Sequence, residues 1–281
     1  MRVSRREVVM NYVLLIAFAL FALAPVLTIL IGSVSAPLGE PAGFYPGNYL
    51  EAWTVGGFGS SLGNSVVVAA IVVGLATVLS IGSGYALGTM RFPGATVLFY
   101  LFLLGMMIPA EATIIPLFFD LRTLGLTDTY LAIALPQVAQ SIAFGTFWLR
   151  AQFRSMPTSL LEAAALDGAG PLRALCSILV PASRPAIVTL VVLVFMWTWN
   201  EFLIALIMTP SGSRRTAPLG LATFQGQYTS ETALLAAAAV IIALPTVILF
   251  LFLQRHFIRG DRKSTRLNSS HGAKSRMPSS A

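Results

Sequence analysis

The sequence predicts an all-α, polytopic membrane protein with six transmembrane helices, both termini cytoplasmic, and a structured cytoplasmic loop between the fourth and fifth helices. Three observations carry this prediction. Hydrophobic residues fill 56% of the 281 positions and charged residues only 10%, whereas ordinary soluble domains carry about 25% charged residues. Six apolar stretches are each long enough to cross about 30 Å of hydrocarbon as helix. The arginines between these stretches are concentrated on alternate connections, as the positive-inside rule requires.

The first span is placed at 8–34, after the basic start "MRVSRREVV". Its apolar run exceeds the about 7–15 residues of a signal-peptide core, so it is a membrane helix and not a cleaved leader. The segment Ser35 to Gly63 follows without any Lys or Arg and holds Glu40 and Glu51. Its stretch "PLGEPAGFYPGNYLEAW" mixes Pro, Gly and aromatic residues as an ordered loop at the outer interface does.

The second span, 64–90, contains "GSGYALG", in which Gly84 and Gly88 form a G-x-x-x-G. Such spacing lets helices approach closely, and ordinary small-residue packing is expected here ahead of a dedicated dimer seam. The run Ala236–Ala239 in the sixth span takes the same reading. In the third span, 95–119, Pro109 and Pro116 flank Glu111, which suggests a helix kinked around a cavity. Glu111 either faces that cavity or reaches outer water.

The fourth span, 129–149, places Gln137 and Gln140 one turn apart, and the fifth, 183–209, carries "WTWNEF" with Trp197, Trp199, Asn200 and Glu201. Charges inside spans call for a functional hypothesis. Aromatic faces beside amides and carboxylates suit a sugar's CH face and hydroxyls, although aromatic belts and interhelical hydrogen bonds use the same residue types. The sixth span is 233–254. Arg2, Arg5, Arg6, Arg91, Arg150, Arg154, Arg173, Arg184, Arg255 and Arg259 fall on the cytoplasmic side, and Arg122, Arg214 and Arg215 on the other.

The loop 150–182 has a helical grammar of its own. In "RSMPTSLLEAAALDG", Ser159 precedes Glu162 by three, the spacing of a capping box, and Gly168 sits where a left-handed residue would end the helix. Pro171 then opens a second short helix, "PLRALCSIL", before Val180-Pro181 leads into the fifth span. These helices expose Leu160, Leu161, Ala164, Leu172 and Leu175 beside Glu162, Asp167 and Arg173. A membrane-surface helix would be rich in Lys and Arg on its polar face, so a protein partner is expected.

Other chemistries are excluded by omission. The basic residues are scattered singly and do not form the stripe that nucleic acid requires. Cys176 is the lone cysteine, which precludes an internal disulfide. No phosphate-binding G-x-x-x-x-G-K-[ST] occurs, and no lysine precedes Lys263. His256 and His271 lie at the end of the last span and beyond it, where they can build neither a metal pair nor a buried Ser-His arrangement. The chain is therefore expected to be no enzyme, with no catalytic residue and no metal or cofactor of its own. Residues 261–281 supply both lysines and six serines with almost no apolar residue. This tail is expected to be disordered and a cloning or sequencing remnant, which leaves 1–260 as the transmembrane domain.

The pattern Glu162-Ala163-Ala164, Gly168, Ile178, Val180-Pro181 resembles the "EAA" motif of ATP-binding-cassette importer permeases, with Val180 in place of the usual Leu. "NSVVVA", "GYALGTMRFPG", "MIPAEATIIPLF", "FMWTWNEFLIAL" and "ALPTVILFLFLQRHFIRG" are similar to the carbohydrate-uptake branch, over about residues 8 to 260. The resemblance implies one of two transmembrane subunits, paired with a second permease as a heterodimer in the plasma (inner) membrane. Cytoplasmic ATPase subunits would use the ATP, and an extracytoplasmic solute-binding protein would deliver a sugar or sugar-like solute. It also implies that Glu162, Ala163, Ala164, Asp167, Gly168 and Pro181 couple to the ATPase, while Glu111, Gln137, Gln140, Trp199, Asn200 and Glu201 are candidates for the solute path. Three other readings stay open at this point: an ion-driven secondary transporter using Glu111 and Glu201, an importer permease for an amino acid or phosphate, and a membrane scaffold.

Overall fold

The computed structural model describes residues 5–225 and 231–252; the expectations for residues 253–281 fall outside them. Among the described residues the main elements are helices: α1 (Arg5–Gly32), α2 (Asn48–Val55), α3 (Phe58–Thr89), α4 (Ala95–Met107), α5 (Ala110–Thr123), α6 (Tyr130–Arg154), α7 (Thr158–Leu166), α8 (Pro171–Ala182), α9 (Arg184–Trp199), α10 (Leu203–Met208) and α11 (Thr232–Phe252). The all-helical class is the one the composition predicts. Four helices are long and apolar enough to cross a membrane alone: α1, α3, α6 and α11. Two further candidates are bent pairs, α4 with α5 at 97° and α8 with α9 at 80°.

The third span, for which a kink is expected, bends sharply, and the fifth, expected to be continuous, is broken. The third stops at Met107 because Pro109 lacks an N–H and its ring disfavours helical backbone in the residue before it; Ile108 accordingly adopts ψ 120° and Pro109 ψ 130°. Pro116, by contrast, is accommodated inside α5. The fifth span ends at Trp199 and resumes at Leu203. Across the gap the Asn200 side-chain amide donates back to the Met196 carbonyl at 2.7 Å, competing with the helical ladder as short polar side chains do.

The chain divides into two compact units, one comprising Met1–Leu62 with Ala217–Leu244, the other Gly63–Thr216 with Pro245–Ala281. In the first, Ala52, Phe58, Ala217, Phe224, Leu234, Ala237 and Ala238 form a buried cluster. The alanine run of α11 thus packs closely, with the Ala236 methyl 3.5 Å from where a Cβ on Gly32 would stand. The loop after α1 is ordered as expected: Asn48 Nδ2 donates to the carbonyls of Ser33 (3.1 Å) and Ser35 (2.8 Å), and the hydroxyls of Ser33 and Tyr49 meet at 2.7 Å.

In the second unit the core is built by α3, α6 and α9, with Val72, Ala76, Ile133, Leu149, Phe153, Leu190 and Val194 buried among one another. The G-x-x-x-G of α3 faces α6 of the same chain. A Cβ on Gly84 would lie 2.9 Å from Leu149 Cβ and 3.1 Å from the Arg150 nitrogen, and one on Gly88 3.3 Å from the Arg150 carbonyl oxygen. The bare backbone of α3 at these two glycines is what permits this crossing. A Ser83–Thr146 hydroxyl pair at 2.6 Å and the edge-to-face rings of Tyr85 and Phe153 complete it. Trp148 Nε1 ties α6 to α9 through the Ala186 carbonyl at 2.9 Å.

Candidate functional site

Two features of the second unit concern function. The first is a cavity of about 810 Å³ bounded by the α4–α5 break, α6 and the C-terminal end of α9. Each broken span contributes because a break ends the helix and turns its polar residues sideways. Glu111 stands in the first turn of α5, immediately after the Pro109 kink, and Asn200 and Glu201 occupy the gap after α9. Gln137 and Gln140 line the cavity from α6, with Gln137 6% exposed and its Nε2 donating to the Ile133 carbonyl at 3.0 Å.

Five of the six residues singled out for a solute path are thereby gathered around one space: Glu111, Gln137, Gln140, Asn200 and Glu201. Trp199 is not among its lining residues. It is 2% exposed and stacked on Phe195 at 5.3 Å. Trp197, two residues earlier and so on another face of α9, lines the cavity instead, half-exposed and edge-to-face with Phe144 at 4.9 Å. Ser141 and Phe144 also line it. Their signal was present in the sequence, because Gln137, Gln140, Ser141 and Phe144 follow the spacing of one helical face.

The lining carries two carboxylates and no Lys or Arg. Glu111 and Glu201 also share a smaller adjoining cavity of about 240 Å³. Glu201 has a structural role besides: its Oε1 accepts the Ile204 N–H at 2.8 Å, capping α10. Among the described residues no group of three His, Cys, Asp or Glu side chains is placed to hold a metal ion.

The second feature is the surface of α7 and α8. The helix α7 starts after Pro157, whose ψ of 129° sets the turn, and no side chain caps it. The expected Ser159–Glu162 capping box is therefore absent: with Pro157 at the cap position, the helix starts two residues too early for Ser159 to serve as cap. Glu162 is exposed, with no described hydrogen bond or ion pair.

The end of α7 matches its expectation. Gly168 has φ +73°, and the bonds Ala169 N–H to Ala164 O (2.9 Å) and Gly168 N–H to Ala165 O (3.1 Å) form a Schellman closure. Nothing lies within 4 Å of a Cβ at Gly168, so its requirement is conformational. Ala164 and Leu175, expected to be exposed, are 4% and 7% exposed and anchor the loop to the core. Glu162, Ala163, Leu166 and Leu172 face outward, the two leucines strongly. Pro181 lies in α8 just beyond a π-helical turn, Leu175–Leu179. A proline N lacks the proton for the ladder and crowds the carbonyl four residues back, and a wider turn relieves both.

A helical membrane unit with broken spans around a polar cavity, and an outward-facing helix pair on a connecting loop, defines a membrane transport subunit. Residues 79–263, more than half of the chain, match the family described as binding-protein-dependent transport system inner membrane component, and the chain belongs to that family of transport permeases. It is 30% identical over 261 residues to the diacetylchitobiose uptake system permease protein NgcG of Streptomyces coelicolor, covering 90% of this chain and 86% of that one. It is 36% identical to the trehalose transport system permease protein SugB of Mycobacterium tuberculosis (72% and 75% covered). To the sn-glycerol-3-phosphate transport system permease protein UgpE of Yersinia pestis it is 38% identical (72% and 72% covered). Its fold is similar to a chain in the crystal structure of a bacterial ABC transporter involved in import of the acidic polysaccharide alginate, with a TM-score of 0.79 at 24% identity over 92% of this chain and 99% of that one.

Proposed function

We propose that this permease imports a neutral sugar or sugar-like solute as one half of a heterodimer with a second permease, in an ATP-driven system of the inner membrane. The observation that carries the solute class is the cavity lining: amides, hydroxyls and an exposed tryptophan edge, with two carboxylates and no cation. Hydroxyl-rich neutral solutes can use each of these groups, whereas an anionic solute would meet the repulsion of two carboxylates with no cation beside them. Relatives named for diacetylchitobiose and trehalose support the same class.

In this reading α4 with α5 make one span and α9 with α10 another, giving six, and both termini are cytoplasmic together with α7 and α8. A solute-binding protein delivers ligand to the outer face. Cytoplasmic ATPase subunits, which use the ATP, grip α7 through Glu162, Ala163 and Leu166 and α8 through Leu172. Closure of the ATPases draws the two coupling loops together and exchanges inward- for outward-facing access. Only partners that bind the two states with different affinity can drive such an exchange. If Glu162 is buried against a basic group on docking, its truncation costs about 2–5 kcal/mol of association.

The test is co-purification of the tagged full chain from a mild detergent, comparing the wild type with Glu162→Ala and with Leu166→Glu/Leu172→Glu. The expected result is recovery of a phosphate-loop ATPase and a second permease with the wild type. The variants should retain the permease while losing ATPase by at least about tenfold, the equivalent of 1.4 kcal/mol. A chain that emerges alone and indifferent to these substitutions would overturn the proposal in favour of ion-driven transport.

A further inference from the structure

A second large cavity, about 690 Å³, lies where the C-terminal end of α3, the α3–α4 connection, the start of α4, the end of α6 and the start of α7 converge. Its lining includes Arg91, Arg150 and Arg154 and no acidic residue. Arg150 and Arg154 stand one turn apart on α6, where like charges repel. Among the described residues none of the three arginines has a carboxylate partner.

The Arg150 guanidinium is held in place: Nε donates to the Leu87 carbonyl at 3.1 Å, and its central carbon sits 3.7 Å over the Phe99 ring. A positioned cation with two more beside it and no counter-charge is a built receptor for a bidentate anion, phosphate above all. The helix α4 that rises from this cavity has no buried residue, and Val97, Tyr100, Leu101 and Leu104 are each more than half exposed. A soluble anion has no use for that apolar strip, but an acyl chain does.

We propose that this cavity binds the phosphate headgroup of an anionic phospholipid, with its chains along α4. Its placement in the anionic cytoplasmic leaflet rests on the topology proposed above. Basic pockets between spans on that side are suited to such headgroups. Thr158 and Leu161 of α7 line the same cavity, so a bound headgroup braces the docking helix from behind. Lipid composition would thereby tune coupling to the ATPase.

The experiment is lipid retention by the full chain, purified in mild detergent, exchanged into mixed micelles of phosphatidylglycerol and phosphatidylcholine with matched acyl chains, and read by native mass spectrometry. The wild type is expected to prefer phosphatidylglycerol, and Arg91→Gln and Arg154→Gln each to weaken that preference by about fivefold, the equivalent of about 1 kcal/mol per arginine. Among the described residues neither arginine side chain makes a hydrogen bond, and an unchanged melting temperature checks that the fold is retained in the variants. Equal retention of the two lipids, or an undiminished preference in the Arg91→Gln/Arg154→Gln double variant, overturns the proposal. Displacement of the lipid by inorganic phosphate would assign the arginines to a soluble anion, and its expulsion when the ATPase assembles would assign them to an acidic group of that partner; either result also overturns it. Because the lipid preference and its loss in the variants are read on the chain without the ATPase or a sugar, their failure leaves the sugar-import reading untouched, and the reverse holds equally.

Discussion

The Glu201 carboxylate accepts the Ile204 backbone N–H at 2.8 Å while lining the cavity that also holds Glu111. One side chain thus caps α10 and supplies charge to the cavity, and substitutions can separate the two roles. Glu201→Gln keeps an acceptor oxygen and is expected to melt within about 0.5 kcal/mol of the wild type. Glu201→Ala loses the cap and is expected to cost about 1 kcal/mol. If reconstituted uptake falls in Glu201→Gln while stability holds, the charge itself serves transport.

The tryptophans of "WTWNEF" should part in the same way. Trp199→Ala empties a buried site and is expected to destabilise by about 3–5 kcal/mol, visible as a lower melting temperature or poor expression. Trp197→Ala removes a half-exposed face and should spare the fold while raising the KM for uptake. A Trp197→Ala variant with unaltered uptake would remove this residue from the solute path.

At Gly168 the φ of +73° is open to glycine and costly for other residues. Gly168→Ala meets no steric obstacle and should cost about 1–2 kcal/mol from backbone conformation alone. Because the strain falls on the end of α7, ATPase recovery should drop more than global stability does. Gly168→Asn, which tolerates the left-handed region better, should recover part of the loss.

Gly84→Val places methyl groups where Leu149 Cβ already stands 2.9 Å from the first added atom. Overpacking of this kind costs about 1–3 kcal/mol, and the α3–α6 crossing should open. Gly74→Ala on the same helix is the control, since nothing lies within 4 Å of its Cβ. Thermal unfolding of the two variants in detergent should therefore differ, and equal melting temperatures would contradict the crossing.

Local signals predicted the ends of elements well where a single residue sets the backbone. Gly168 closing α7 and Pro171 opening α8 are such cases. They failed where two local signals competed. Ser159 and Glu162 have capping-box spacing, but Pro157 sets the start of α7 first. In the third span Pro109 and Pro116 signal a kink but not its size: hydropathy runs unbroken through 95–119 while the backbone turns by 97°. Hydropathy reports transfer from water and is blind to the direction of the chain.

The sequence by itself determined the helical membrane class, the outward-facing loop with its exposed Glu162, and the residue types that line the cavity. Those follow from transfer free energies, backbone preferences and charge, all of which act within a few residues. Only the tertiary structure decided that Trp197 and not Trp199 meets the cavity, that Ala164 and Leu175 are anchors, and that Arg91 joins Arg150 and Arg154 around one space. Each of these depends on the azimuth at which a helix packs against its neighbours, which is set by close contacts such as those of Gly84 with Leu149, between residues distant along the chain.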